Sequence, residues 1–234
     1  PSTGLGFLQL RSEELRRGGC RALNRYPADA FEGCRARLIP VAAVPANTPE
    51  EAIEELEYAV RALGFRAVMI PSYIPRPIEA LANAGDPAAP WAFRLDTYGI
   101  DSAHDYDPFW QRCIELGISP ATHTQGNGWG SRRSPSNWVY NHIGHFGASG
   151  EALCKSLFLG GVTRRFPGLR VAMLEGGVGW ASQLYNDLIE HWEKRNAKFM
   201  RANLDPSKLD LDLLGKMAIK YGGDLLTPDK VRAQ

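Results

Sequence analysis

The chain has 234 residues, 44% of them hydrophobic and 23% charged, a composition typical of globular domains that excludes a fibrous or disordered protein. Lys and Arg total 27 against 26 Asp and Glu, so the net charge of +1 gives no indication of a nucleic-acid partner. The longest apolar stretch, Leu38 to Ala46, is too short to cross a bilayer, and we therefore predict no membrane partner. The four cysteines lie far apart and form no CxxC pair, which is typical of reduced thiols in a cytoplasmic protein.

The N-terminal part of the chain predicts a strand–helix–strand unit. Thr48 can cap a helix whose first residue is Pro49, and Gly64 can end it in a left-handed conformation. Apolar runs on both sides of this helix, at 37–44 and 65–70, predict two buried strands. A helix between two buried strands is the unit from which parallel sheets are built. Two further elements are predicted before it, a loop at 1–6 and a helix at 11–31.

The same alternation continues toward the C-terminal end. In chain order, we predict an irregular segment at 71–106, a helix at 107–116, a strand at 118–123, a loop at 124–147, a helix at 151–166, a strand at 169–174, and helices at 179–199 and from 205 to about 221. Four strands that alternate with helices indicate the α/β class, either a doubly wound sheet or part of a (β/α)8 barrel. The usual nucleotide-binding motifs, GxGxxG and GxxxxGK[ST], are missing.

Chemistry in parallel α/β folds lies at the carboxyl ends of the strands. His123 ends the third predicted strand, and Glu175 directly follows the fourth. An imidazole and a carboxylate at adjacent strand ends can share a divalent metal, or they can form a general acid–base pair. The alternatives are a buried neutral histidine bonded to the backbone and a glutamate paired with an arginine. Because Glu175 follows an apolar strand, we expect a buried carboxylate, which needs a partner.

Two further histidines and three tryptophans fall in the same part of the chain. His142 and His145 lie three residues apart in the loop predicted after the third strand, and we take both as candidate catalytic residues. The alternative for each is loop packing, which we prefer for His104 and His191. Three tryptophans would suit an aromatic or apolar substrate wall, or would anchor loops: Trp129, Trp138 and Trp180.

Several stretches of the sequence carry a family resemblance. In chain order they are Glu54 to Ile70, Tyr106 to Trp110, Glu115 to Ile118 with His123, Leu157 to Val162, Arg165 to Arg170, and Leu174 to Trp180. They resemble the amidohydrolase-related family, in the branch that includes aminocarboxymuconate-semialdehyde decarboxylase. The resemblance implies a (β/α)8 barrel with a divalent metal, zinc, at the carboxyl face. On that template His123 matches a metal-binding histidine, and Glu175 stands where the wider family usually has a histidine, either as a ligand or as a catalytic carboxylate.

Two parts of the family pattern are missing. The family has a His-x-His or acidic-x-His pair on its first strand and an aspartate on its last strand, and neither occurs here. The chain begins with Pro1, and no basic-then-apolar stretch follows it, so we expect no secretory leader. We therefore expect a single domain over 1–234, truncated at both ends, that contains strands three to six of a partial (β/α)8 barrel. Open strand edges in such a half barrel predict association into homo-oligomers.

These observations favour a metal-dependent hydrolase or decarboxylase that acts on a small carboxylated or cyclic substrate. His123 would bind the metal, and Glu175 or His145 would transfer protons. The alternative is a non-catalytic α/β module that binds a small molecule. A serine hydrolase is disfavoured, because no Gly-x-Ser-x-Gly motif occurs. We expect weak metal binding and no activity from the 234-residue chain alone, since zinc sites need at least three protein ligands.

Overall fold

The computed structural model describes residues 6–89, 92–124, 129–130 and 132–232, apart from the side chain of Arg232. The predicted loop at 1–6 lies outside these ranges except for its last residue. The chain divides into two compact units, Pro1–Leu184 and Tyr185–Gln234. The single domain over 1–234 stays a prediction. None of the helices in the described ranges is both long and apolar enough to cross a membrane.

Strands and helices alternate through the first unit. In chain order they are α1 (Glu13–Ala30), β1 (Val41–Ala43), α2 (Pro49–Glu57), β2 (Ala67–Pro71), β3 (Ile74–Pro77), α3 (Glu79–Asn83), β4 (Phe93–Asp96), α4 (Asp107–Glu115), β5 (Ala121–His123), α5 (Trp138–His142), α6 (His145–Leu159), α7 (Val162–Arg165), β6 (Ala172–Met173) and α8 (Gly179–Arg195). A 3-10 turn follows α1, and a π-helical turn continues α2. The boundary between the two units falls within α8.

Strands β1, β2, β5 and β6 form one parallel sheet in that order. This confirms the α/β class and the four predicted strands. Val68 and Ile70 of β2 are buried on one face of the sheet, in a core that includes Leu56 of α2, Trp110 of α4 and Leu153 of α6. Because side chains alternate along a strand, Ala43 of β1 and Met69 of β2 lie in a second cluster, with Cys20 and Leu23 of α1.

All four strands differ from the bounds that their apolar runs indicated. The run at 37–44 forms a strand only from Val41 to Ala43, and Leu38 and Ile39 remain 46% and 57% exposed. The shortest strand, β6, is two residues long against six predicted at 169–174. A strand extends only as far as a neighbour pairs with it, whereas an apolar run also continues into the segments beside it.

The outer edge of β1 is occupied by a side chain of α1. The Asn24 amide nitrogen donates to the carbonyl oxygen of Ala43 (2.9 Å), and Ala43 N donates to Asn24 Oδ1 (2.7 Å). Asn24 also donates to Glu55 of α2 (2.8 Å). The amide thus satisfies both backbone groups that a neighbouring strand would otherwise bind, and it joins α1 to the sheet.

The segment 71–106, predicted as irregular, contains an antiparallel hairpin of β3 and β4. Arg76 of β3 donates through Nε to Asp96 Oδ2 of β4 (2.9 Å) and through Nη2 to Tyr106 Oη (2.9 Å). The Tyr106 hydroxyl in turn donates to the carbonyl oxygen of Ala46 (2.7 Å), just after β1. The hairpin is thereby attached to the carboxyl end of the sheet. Two prolines within β3 concealed the strand pattern in the sequence.

The second unit is helical. Beyond the end of α8 it contains α9 (Ala197–Asn203), a 3-10 turn (Pro206–Lys208), α10 (Leu211–Gly222), a second 3-10 turn (Gly223–Leu225) and α11 (Pro228–Arg232). The single helix predicted at 179–199 is divided because the Asn196 side chain caps α9 by accepting a backbone N–H. The last long helix begins at Leu211 rather than at 205, since Asp210 caps it in the same way.

The four cysteines all lie in the described ranges and are free, in agreement with the prediction of reduced thiols. Burial raises the pKa of the Cys20 and Cys113 thiols to about 12. Both thiols are therefore protonated and unreactive at neutral pH, whereas Cys34 is exposed. The cytoplasmic location stays a prediction.

We expect Asp96→Ala to lower the free energy of unfolding by about 3 kcal/mol, because it leaves the largely buried Arg76 guanidinium without its carboxylate. Urea unfolding measures the effect. The control is Glu79→Ala, at an exposed position of α3, which should change stability by less than about 0.5 kcal/mol. Equal effects of the two substitutions would contradict the anchoring role of Asp96.

Candidate active site

The parallel pairing of β5 and β6 brings His123 and Glu175 together. Thr122 pairs with Met173, and Leu174 N donates to the carbonyl oxygen of Thr122 (3.1 Å). His123 Nε2 lies 3.4 Å from Glu175 Oε1. The predicted juxtaposition of these two side chains is confirmed. The expected burial of Glu175 is wrong: its side chain is 60% exposed against 13% for His123, since β6 is partly exposed at the edge of the sheet.

One hydrogen bond sets the tautomer of His123. Its Nδ1 lies 2.7 Å from the carbonyl oxygen of Thr124. A carbonyl oxygen can only accept, so Nδ1 carries the hydrogen and donates it. In the neutral ring, Nε2 therefore presents its lone pair toward Glu175. This is the arrangement of a metal-ligating histidine, whose other ring nitrogen usually donates to a carbonyl or carboxylate.

The lone pairs of His123 Nε2 and Glu175 Oε1 face each other, and a proton on Nε2 or a metal ion between them would relieve their repulsion. Two ligands of one tetrahedral zinc, each bound at about 2.1 Å, stand about 3.4 Å apart. The observed separation of 3.4 Å therefore fits two ligand positions of a divalent metal site. Within the described ranges, no group of three or more His, Cys, Asp or Glu side chains is arranged to hold a metal.

Glu175 occupies an uncommon backbone conformation. Its φ is +60°, in the left-handed region, although the two residues that follow are glycines. A non-glycine residue there costs about 1–2 kcal/mol. Such strain persists at functional sites, where the surrounding structure imposes it. A glycine at 175 would avoid the cost, so the chain retains a strained glutamate at the position from which its carboxylate reaches His123.

His145 is placed differently from the prediction. It is the first residue of α6 rather than part of a loop, and it is 2% exposed. Its Nε2 lies 3.4 Å from Thr124 Oγ1, and its ring contacts Tyr73 and Trp129 at centroid distances of 6.4 and 6.2 Å. The buried face of α6 runs through His145, Ser149, Leu153 and Leu157 at four-residue steps. Because two residues of this stripe, His145 and Ser149, are polar, the hydrophobic pattern of the sequence did not predict that the helix begins here.

A row of contacting rings leads to His123 from the surface. Trp138, which is 63% exposed, lies 4.5 Å from His142, and His142 lies 4.9 Å from Phe146. Phe146 in turn lies 5.1 Å from His123. His142 thus belongs to this aromatic row, at the end of α5. Catalysis by His142 stays a prediction, as does substrate binding by Trp138.

The other two candidate tryptophans have different surroundings. Trp129 packs edge-on against Tyr73, with ring centroids 5.5 Å apart. The Trp180 indole lies over glycines of α6, so close that a β carbon on Gly150 would stand 3.5 Å from it. Trp180 therefore packs α8 against α6. Substrate binding by either tryptophan is still a prediction.

Sequence reasoning gave no weight to Tyr73, Thr124 or Phe146. Tyr73 is buried, and this burial raises the pKa of its hydroxyl, while a hydrogen bond with the Thr124 side chain acts in the opposite direction. All three lie beside candidate histidines in the structure. The available signal was position alone: Tyr73 follows β2, Thr124 follows β5, and Phe146 follows His145.

The family model described as amidohydrolase matches residues 3–203. The chain therefore belongs to the amidohydrolase family. This confirms the resemblance seen in the sequence.

Three solved structures share the fold. They are 2,6-dihydroxybenzoate decarboxylase from Rhizobium (16% identity, TM-score 0.56), dihydroxybenzoic acid decarboxylase from Polaromonas sp. JS666 with bound manganese and 2-nitroresorcinol (18%, 0.54), and 5-carboxyvanillate decarboxylase from Novosphingobium aromaticivorans with bound manganese and 3-methoxy-4-hydroxy-5-nitrobenzoic acid (17%, 0.53). The matches cover 89%, 89% and 98% of this chain, and 59%, 57% and 68% of those chains. The chain thus spans less than two thirds of the first two, and its four-stranded parallel sheet with its helices is part of the barrel fold of these decarboxylases.

We expect Glu175→Gly to be more stable than Glu175→Ala by about 1 kcal/mol, because only glycine relieves the left-handed backbone. At an ordinary backbone position alanine is the more stabilising of the two residues. Both variants lose the carboxylate, so the comparison isolates the backbone strain. Thermal and urea unfolding measure the difference, and an alanine variant as stable as the glycine variant would contradict the strain.

Proposed function

We propose that the protein is a metal-dependent hydrolase or carboxy-lyase, and that its reaction is the decarboxylation of a small aromatic carboxylate. The observation that carries the proposal is the convergence of His123 Nε2 and Glu175 Oε1 at 3.4 Å, with Glu175 in a strained conformation. The family match and the benzoate-derived substrates named for the related structures support the reaction class.

His123 would hold the metal through Nε2, and Glu175 would hold it through a carboxylate oxygen. A divalent ion bound there supplies Lewis acidity toward an oxygen of the substrate. An imidazole and a carboxylate suit both zinc and manganese. Manganese is the ion named for two related structures, whereas zinc is the ion that the sequence resemblance implied.

The remaining residues would bind the substrate and supply a proton. Decarboxylation breaks the bond between a ring carbon and the carboxylate carbon, releases CO₂ and leaves the electron pair on the ring carbon, which then takes a proton. His145 is our candidate donor of that proton, with Glu175 as the alternative if it does not bind metal. The rings of Tyr73, Trp129 and Phe146 would pack against the substrate and exclude water.

We predict that the 234-residue chain binds Mn²⁺ or Zn²⁺ at one site with micromolar or weaker affinity, because two protein ligands leave the ion largely hydrated. His123→Gln and Glu175→Gln should each weaken binding at least about tenfold, as expected for loss of one ligand. Isothermal titration calorimetry with each metal measures the affinities and compares the two ions directly.

The matched control for this titration is His191→Gln, at an exposed position of α8, which should leave the affinity within about twofold. Equal affinities of wild type and both site variants would remove the proposed metal site. Metal binding at this site without turnover of any aromatic acid by the intact protein would favour the small-molecule-binding module instead.

For the intact protein, we predict that His145→Gln lowers kcat by about 10²–10⁴ while His191→Gln has almost no effect, since only the first removes a proton donor. Release of CO₂ from 2,6-dihydroxybenzoate and related acids provides the assay. Because His145 is buried, the thermal stability of each variant is measured in parallel. Small and equal losses of kcat would show that His145 serves packing alone.

A further inference from the structure

We propose that Thr124 is a positioning residue that fixes both imidazoles of the candidate site, those of His123 and His145. The importance of this role rests on the proposed function, whereas its test, which measures histidine tautomers, does not depend on that function. Thr124 directly follows β5 and is 2% exposed. No chemistry of its own is assigned to it.

The carbonyl group of Thr124 acts on His123. It lies 2.7 Å from Nδ1 and so holds the ring in the tautomer whose Nε2 lone pair faces Glu175. The acceptor is the carbonyl oxygen of the peptide group that follows Thr124. A rotation of that peptide would remove the acceptor, and the ring could then protonate on Nε2 instead.

The hydroxyl group of Thr124 acts on His145. Its Oγ1 lies 3.4 Å from His145 Nε2, which is long for a hydrogen bond, and its interaction with the Tyr73 hydroxyl lowers the pKa of that tyrosine. One hydroxyl has one donor hydrogen and two acceptor lone pairs, so it can serve both partners. Tyr73 follows β2 and His145 begins α6, so the hydroxyl is held by two separate elements.

The two contacts are mechanically linked because they belong to one residue. Tyr73 and His145 fix the Thr124 side chain, the side chain restrains its own backbone, and the backbone carbonyl orients His123. A single buried hydroxyl thereby sets the direction of the candidate ligand and contacts the candidate proton donor. In this arrangement Thr124 acts through the histidines and does not touch the substrate.

The test uses the 234-residue protein labelled with ¹⁵N in its histidines, free of metal and at a pH where the rings are neutral. Long-range ¹H–¹⁵N spectra report which ring nitrogen carries the hydrogen. Thr124→Val removes the hydroxyl with little change of shape and keeps the carbonyl, whereas Thr124→Ser keeps both. The matched control is Thr122→Val, since the buried Thr122 hydroxyl has no partner within the described residues.

We expect the Nδ1–H form of His123 in wild type, in Thr124→Ser and in Thr122→Val. In Thr124→Val, the Nε2–H form of His123 should increase several-fold and the ring resonances of His145 should shift. Mn²⁺ affinity should fall at least about fivefold in the same variant and remain unchanged in Thr122→Val. If Thr124→Val does not fold, Tyr73→Phe removes one of the two partners of the hydroxyl and should shift the tautomers in the same direction by less.

Spectra of Thr124→Val that match those of Thr122→Val would overturn the positioning role of Thr124. The failure of the proposed function has a different signature. If wild type binds no metal and yet the tautomers shift as expected, Thr124 positions the two rings but the ring of His123 is no ligand.

Discussion

The structure of the candidate site depends on the parallel register between β5 and β6. Thr122 is opposite Met173, so His123, one residue later, and Glu175, two residues later on the neighbouring strand, lie at the same edge of the sheet. Side chains alternate between the two faces of a strand, and a slip of one residue would turn His123 into the helix-covered core. The helices restrain this register, because they bury one face of the sheet and would have to repack for any other pairing.

Two local features then aim the side chains that the register brings together. The imidazole of His123 is oriented by a hydrogen bond to the carbonyl group of the next residue, Thr124, and the carboxylate of Glu175 by a left-handed backbone conformation. The second feature lowers stability, because the backbone of Glu175 is strained. Their common result is a pair of acceptors that face each other across the distance two ligands of one metal ion would have.

Elements outside the sheet complete the surroundings of this pair. The β3–β4 hairpin is bound to the strand ends through the Arg76, Asp96 and Tyr106 network, and α6 places His145 and Phe146 beside β5. The segment that follows β5 thus places aromatic rings on one side of His123, because α5 and the start of α6 carry Trp138, His142 and Phe146. Polar groups that are buried in these networks are satisfied by specific partners, which makes the arrangement sensitive to single substitutions.

The sequence by itself determined the elements whose signals are local. The Thr48–Pro49 helix start, the left-handed Gly64 and the order of four strands follow from capping and hydrophobic pattern, and the structure confirms each. The strand-end rule also selected His123 and Glu175 before any coordinates, because parallel strands deliver their last residues to one edge. Sequence motifs further indicated the family that the comparison confirms.

Only the tertiary structure decided the features that depend on partners distant in sequence. The exposure of Glu175 follows from its place beyond the edge strand β6, and the helical start at His145 follows from packing of a stripe with two polar members. The β3–β4 hairpin was not predicted because β3 contains two prolines, and it is held together by the Arg76–Asp96 contact between residues twenty positions apart. The proposed role of Thr124 could not be predicted from the sequence either, because it depends on Tyr73 and His145, which only the fold places beside the Thr124 hydroxyl. Local patterns specify where the backbone folds, whereas side-chain partners are chosen by packing between elements, and a single sequence does not encode that packing in any local pattern.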